Sequence, residues 1–139
     1  MKILLAVDGS PYTKKMLAYL TTHDLFSQGN DFLVFTVQPA LPPRARAAVG
    51  KEIVEQYYAD EAEKVIAPVT KFLLRHGIDA KSSWKVGPVS ETIAKFAGNE
   101  KFDLLIMGSH GQGALANLVM GSVATKVLAS CSVPVLLVR

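Results

Sequence analysis

The sequence predicts an α/β fold, an open doubly wound parallel sheet of five strands with helices on both faces. Three observations lead there. Five short strand-like runs alternate with four helical stretches, and crossovers through helices force the strands they join to be parallel. Four of the runs are apolar at nearly every position, as suits strands covered on both sides. The remaining one, AKSSWKV from Ala80 to Val86, is polar and belongs at a sheet edge where one side meets water.

The first strand runs from Lys2 to Val7 and is central by its continuous apolar character. Asp8-Gly9-Ser10-Pro11 then turns the chain, with Ser10 as N-cap and Pro11 at the first helical position. The helix that follows carries Met16, Leu17 and Leu20 on its apolar stripe and extends to about Phe26, closed by Gly29-Asn30. Phe32 to Val37 is the second strand. The segment from Ala40 to Gly50 reads as a proline-rich loop containing Arg44 and Arg46.

Lys51 to His76 is a long helix whose stripe passes through Tyr58, Ala62, Val65, Val69, Phe72 and Leu73. Pro68 predicts a kink near Lys64 to Pro68 rather than two helices, and Gly77 supplies the stop. Trp84 is the packing residue of the polar third strand. Gly87-Pro88 opens another helix with Val89, Ile93 and Phe96 on its buried face, ended by Gly98-Asn99. Leu104 to Met107 is the fourth strand, and Val133 to Val138, apolar throughout, is the last.

With 139 residues the chain is long enough for one domain with a sizeable core. Its single cysteine, Cys131, reads as a small buried hydrophobe and fits a reducing, cytoplasmic setting. The apolar run of MKILLAVDG is too short for a signal sequence, and no run approaches the ~20 residues that span a bilayer. Net charge is +3, but the basic residues are scattered apart from Arg44 and Arg46. Neither a membrane nor a nucleic acid is therefore expected as a partner. Nothing in the spacing requires the two arginines to reach a phosphate. His23 and His76 lie near helix ends, where the helix dipole favours them, and no partner stands at metal-ligand spacing.

The chemistry concentrates between Asp103 and Val123. Gly108 ends the fourth strand, Gly111 and Gly113 follow, and Gly121 and Ser122 lead into a periodic run through Val123, Val127 and Leu128. One reading is plain punctuation, with Ser122 as the N-cap of a helix. The other is a phosphate cradle, in which glycines take φ > 0, admit a ligand to the backbone, and leave helix-start N–H groups facing an anion. Valine at Gly121 would then fill the space where backbone meets phosphate. The order is neither G-x-x-x-x-G-K-[ST] nor G-x-G-x-x-G. Asp8 also has two readings, as a ligand for ribose or base at the end of a central strand and as a helper of its own turn. His110, inside the loop, has no accompanying nucleophile and reads as a loop contact rather than a catalyst.

Gly108, two residues, Gly111, nine residues, then Gly121-Ser122 resembles the nucleotide-binding branch of the universal stress protein family. The resemblance covers the whole chain, including Asp8-Gly9-Ser10 and the terminal strand. It implies a single universal stress protein domain over 1–139, a Rossmann-like sheet of the adenine-nucleotide alpha-hydrolase type, and strand order 3-2-1-4-5. That order sets the ends of the first and fourth strands side by side, where open parallel sheets take their ligands.

By the same resemblance Ala6, Val7, Asp8 and Val37 line the adenine and ribose end, Gly108, Gly111, Gly121, Ser122 and Val123 cradle the phosphates through backbone N–H groups, and Met107, Ser109 and His110 complete the nucleotide site. The implied ligand is ATP or another adenine nucleotide, with Mg as companion, in a cytoplasmic stress-response regulator with at most very slow hydrolysis. Catalytic residues and protein metal ligands are not expected. Relatives commonly carry basic residues where this chain has Gln112 and Asn117, which implies weaker triphosphate binding. The terminal strand Val133 to Val138, apolar yet at an edge, is expected to pair with its copy in a homodimer. The alternative is a dimeric interaction protein of the same fold that binds no nucleotide, and a weaker one is a phosphohydrolase.

Overall fold

Along β1 (Lys2–Ala6) and the residue after it, side chains of alternate parity feed two separate cores. Ile3, Leu5 and Val7 join one, Leu4 and Ala6 the other. This is why the run is apolar at every position: each full burial of a leucine such as Leu4 or Leu5 contributes ~1.5–3 kcal/mol, and both faces are dry. The computed structural model describes residues 1–24, 29–112 and 119–139.

After β1 come α1 (Pro11–Thr22), β2 (Asp31–Gln38), α2 (Pro43–Val49), α3 (Lys51–Arg75), β3 (Lys81–Val86), α4 (Val89–Asn99), β4 (Leu104–Gly108), α5 (Ser122–Ser130) and β5 (Val135–Val138). All neighbouring strands are parallel, in the order β3-β2-β1-β4-β5. On one face, α1 and α3 cover Ile3, Leu5, Val34 and Ile106. On the other, α4 and α5 cover Leu4, Phe35, Leu105 and Met107. The polar strand is the edge strand β3, mostly exposed, and Trp84 is a weak anchor there, still 37% exposed.

Several elements depart from the sequence-based expectation. The proline-rich loop contains α2, because Pro43 presets the first turn and Arg44, Ala45, Arg46, Ala47 and Ala48 tolerate or favour helix. Its residues are all exposed, and Gly50 at φ 87° separates it from α3. α1 stops at Thr22 rather than Phe26, which lies outside the described residues. Thr21 and Thr22 hydroxyls donate to the Ala18 carbonyl, and the His23 ring contacts the Tyr19 carbonyl, local bonds that compete with further turns. α3 continues as one helix through Pro68, burying Ile66 where Val65 had been expected. It ends in a Schellman motif, with Gly77 at φ 78° and Ile78 N–H donating to the Leu73 carbonyl. In α5, Ala124 and Val127 are buried while Leu128 is 45% exposed. Cys131 is half-buried against the α4–α5 core.

Candidate functional site

Ala6 pairs in register with Met107, so the residues that follow β1 and β4 leave the sheet side by side. From the first come Val7 and Asp8, from the second, past its last residue Gly108, come Ser109, His110 and Gly111. Asp8 divides its carboxylate: one oxygen serves the turn and the other is left open beside the loop. Its Oδ1 accepts from Ser10 N–H at 2.9 Å and from the Thr13 hydroxyl at 3.1 Å, fixing the turn into α1. Its Oδ2 takes no hydrogen bond from the described residues and faces Gly111, where an added Cβ would lie only 2.6 Å from it. Thr13, buried and not singled out by the sequence, is thus the residue that orients the carboxylate.

Gly108, Gly111 and Gly121 are required for a reason other than the one the motif first indicates. None of them has positive φ. Instead each is small because another part of the site occupies the place of its side chain. A Cβ on Gly108 would sit 2.7 Å from the Tyr12 Cβ, and one on Gly121 would sit 3.1 Å from the His110 Cα and 3.2 Å from the Ser109 carbonyl oxygen. Valine at Gly121 would therefore push on the loop's own backbone before reaching any phosphate space. Gly121, not Ser122, is the N-cap of α5, with extended backbone at φ −73° and ψ 163°. Its N–H donates to the Ser109 carbonyl at 2.7 Å, which leaves Ser122 and Val123 to present first-turn N–H groups. Gly113 and Asn117 lie outside the described residues.

His110 is buried, with Nδ1 2.8 Å from the Ser109 hydroxyl and its ring 4.6 Å from that of Tyr12. Gln112 reaches back and donates to the Asp8 carbonyl at 3.2 Å, tying loop to turn. His23 and His76 each lie against a main-chain carbonyl one turn earlier in the chain.

These residues enclose an inner pocket of about 60 Å³ that opens into a mouth of about 510 Å³. Ala6, Val7, Asp8, Val37, Met107, Gly108, His110, Gly111 and Val123 line the inner part, and Gly121 and Ser122 join at the mouth. Of the residues expected from sequence, Ser109 alone stays behind this wall. The structure adds Thr36, Gln38 and Pro39 from the end of β2, Glu61 and Val65 from α3, and Val89 and Ile93 from α4. No local pattern marks Glu61 or Val89, because crossovers bring them from distant helices. The described lining thus holds two carboxylates, Asp8 and Glu61, and no lysine or arginine. The sequence from Gly108 to Thr125 has none either.

A family model described as the Universal stress protein family matches residues 1–139. A universal stress protein from Thermus aquaticus is 33% identical over 138 residues, covering 99% of this chain and 97% of its own length. The universal stress protein Slr1230 of Synechocystis is 30% identical over 138 residues, and this chain spans 42% of that relative. Among solved structures, that of protein MJ0577 has a TM-score of 0.81 at 27% identity, covering 99% of this chain and 94% of the other. The same fold occurs at 14% identity and TM-score 0.69 in an Arabidopsis thaliana protein with AMP bound, covering 99% of this chain and 90% of the other. It occurs again at 18% and 0.66 in an Archaeoglobus fulgidus protein in complex with dAMP, covering 100% and 98%.

Proposed function

The chain belongs to the universal stress protein family, and we propose that it serves there as an adenine-nucleotide-binding regulator of the stress response rather than a metabolic enzyme. The observation that carries this is the convergence of Asp8 Oδ2 and the first-turn N–H groups of Ser122 and Val123 on one cavity with an apolar inner end. A carboxylate accepts from ribose hydroxyls, helix-start N–H groups receive a phosphate, and Val7, Val37 and Met107 suit the adenine. Relatives of this fold with AMP and dAMP bound support the assignment.

The charge of the lining favours an adenine ligand with few phosphates over ATP. Asp8 and Glu61 face the cavity, Glu61 paired with Lys64, and no basic side chain in the described lining is left to offset a triphosphate, so ATP would need a divalent ion to neutralise it. Mg²⁺ would be held through phosphate and water, with Glu61, which also engages Lys64, as the nearby carboxylate at the mouth. Binding without turnover fits the groups present: Asp8 Oδ1 is committed to its turn, and His110 to Ser109 and Tyr12. We further read the chain as one cytoplasmic domain that dimerises by antiparallel pairing of β5, an edge strand whose Val135, Leu136 and Leu137 are partly exposed.

Calorimetric titration of AMP and of Mg·ATP into the wild type and Asp8→Asn tests the reading. Asparagine keeps the oxygen that Ser10 and Thr13 need but places an amide nitrogen where Oδ2 meets the ribose. AMP binds the wild type at one per chain, and Asp8→Asn weakens it by about tenfold or more, as loss of a hydrogen bond to a charged group does. No heat with either nucleotide, and no nucleotide released on denaturing the purified protein, would leave the dimeric interaction protein as the better reading.

A further inference from the structure

We propose that the cleft between α1 and α3 is a second binding site, for a small amphipathic organic anion: a carboxylate carrying an apolar body. α1 lies over β4 and β5 while α3 lies over β2 and β3, so the two helices straddle β1 and leave an open cleft of about 670 Å³ between them. On the opposite face α4 and α5 pack directly against each other. The volume is that of an ordinary small-molecule site.

The walls have two characters. Leu17, Val65, Val69 and Phe72 supply apolar surface, and Lys14, Lys64, Lys71 and Arg75 supply positive charge. Among the described residues no acidic side chain lines the cleft. Lys64 is engaged by Glu61 at 3.0 Å, whose hydrogen bond raises the ammonium pKa. Lys14, Lys71 and Arg75 take part in none of the ion pairs among the described residues. A second, independent feature is Ser10, which also lines the cleft: the residue is 1% exposed and its hydroxyl has no hydrogen-bond partner among the described residues. A buried hydroxyl without a partner is rare, because its lost hydration goes uncompensated, and a carboxylate oxygen at the inner end would accept its proton. An inorganic anion would satisfy the cations but leave the apolar wall wet, and a neutral lipid would do the reverse. A carboxylate with a hydrocarbon body meets both.

This site uses neither Asp8 nor the glycine loop, although it borders the nucleotide cavity at Thr13 and Val65. Decanoate, kept below the concentration at which it aggregates, is the probe, followed by ¹H–¹⁵N NMR. Shifts should saturate at one site and fall on Ser10, Leu17, Val69 and Phe72, with decanol binding more weakly. Lys71→Glu with Arg75→Glu, both at exposed positions, should weaken decanoate about fivefold while leaving decanol unchanged, and added salt should narrow that gap. Ser10→Ala, folded by circular dichroism, should also bind decanoate less tightly. Excess AMP should leave the decanoate shifts in place. Shifts that never saturate, equal affinity in the charge-reversed protein, or displacement by AMP would each overturn the proposal.

Discussion

At Gly77, after α3, the chain turns with φ 78°, and an added Cβ would meet nothing within 4 Å. At Gly108, which ends β4, and at Gly111 beyond it, φ is not positive, yet an added Cβ would press to 2.7 Å on Tyr12 and 2.6 Å on Asp8. The first region uses glycine for its backbone freedom, the second for its missing side chain. The difference teaches what the glycine spacing of the loop is for. It lets the β1–α1 turn and the start of α5 approach the loop closely enough to form a cavity, and on the proposed reading a ligand there is received by groups other than the glycines. The motif is a packing device before it is a phosphate cradle.

Substitution should separate the two regions. The largest effect is expected for Gly108→Ala, whose Cβ meets the Tyr12 Cβ and, at 3.3 Å, the Tyr12 carbonyl, neither of which can move without α1. Denaturant unfolding should show a loss of about 2–3 kcal/mol, the range of overpacked sites. Gly77→Ala should cost about 1–2 kcal/mol through its left-handed backbone alone, with AMP affinity unchanged. Gly111→Ala sits between the two kinds. Its Cβ meets only the end of the Asp8 side chain, which can swing aside, so stability should fall by less than about 1 kcal/mol while AMP affinity drops about tenfold. If Gly111→Ala instead loses stability and keeps affinity, the contrast between the regions fails.

The sheet was legible because β1, β2, β4 and β5 are apolar on both faces and β3 is not, and the sheet order followed from the resemblance carried by the loop. The candidate site was legible at Asp8, Gly108, Gly111 and Gly121, which the structure brings together and where turn and glycine chemistry leave local marks. Thr13, Glu61 and Val89 were not, since their place depends on how α1, α3 and α4 settle on the sheet. The reason for the glycines was also hidden: spacing shows where side chains are excluded, but only the packed structure shows by what. Ser122 was misplaced as N-cap because serine is the commoner cap, whereas here the closeness of Gly121 to the Ser109 carbonyl fixes the helix start one residue earlier.

The smallest effect sharpens the electrostatic side of the comparison. Gln112, which donates to the Asp8 carbonyl, stands at the mouth beside two carboxylates. Gln112→Arg keeps a donor there and adds a cation. It should tighten Mg·ATP a few-fold, about 0.5 kcal/mol, and AMP less, with the gain fading as salt is raised. An unchanged ratio of the two affinities would mean that position 112 does not face the phosphates.

On the proposed reading, turn and loop, brought together over Gly111, form the place where an adenine nucleotide sits. A ¹H–¹⁵N NMR titration with AMP tests it most directly. The account predicts saturable shifts at Val7, Asp8, Val37, Gly111, Ser122 and Val123, with Gly77 and its neighbours still. Shifts confined to the α1–α3 cleft, or none at all in a folded protein, would contradict it.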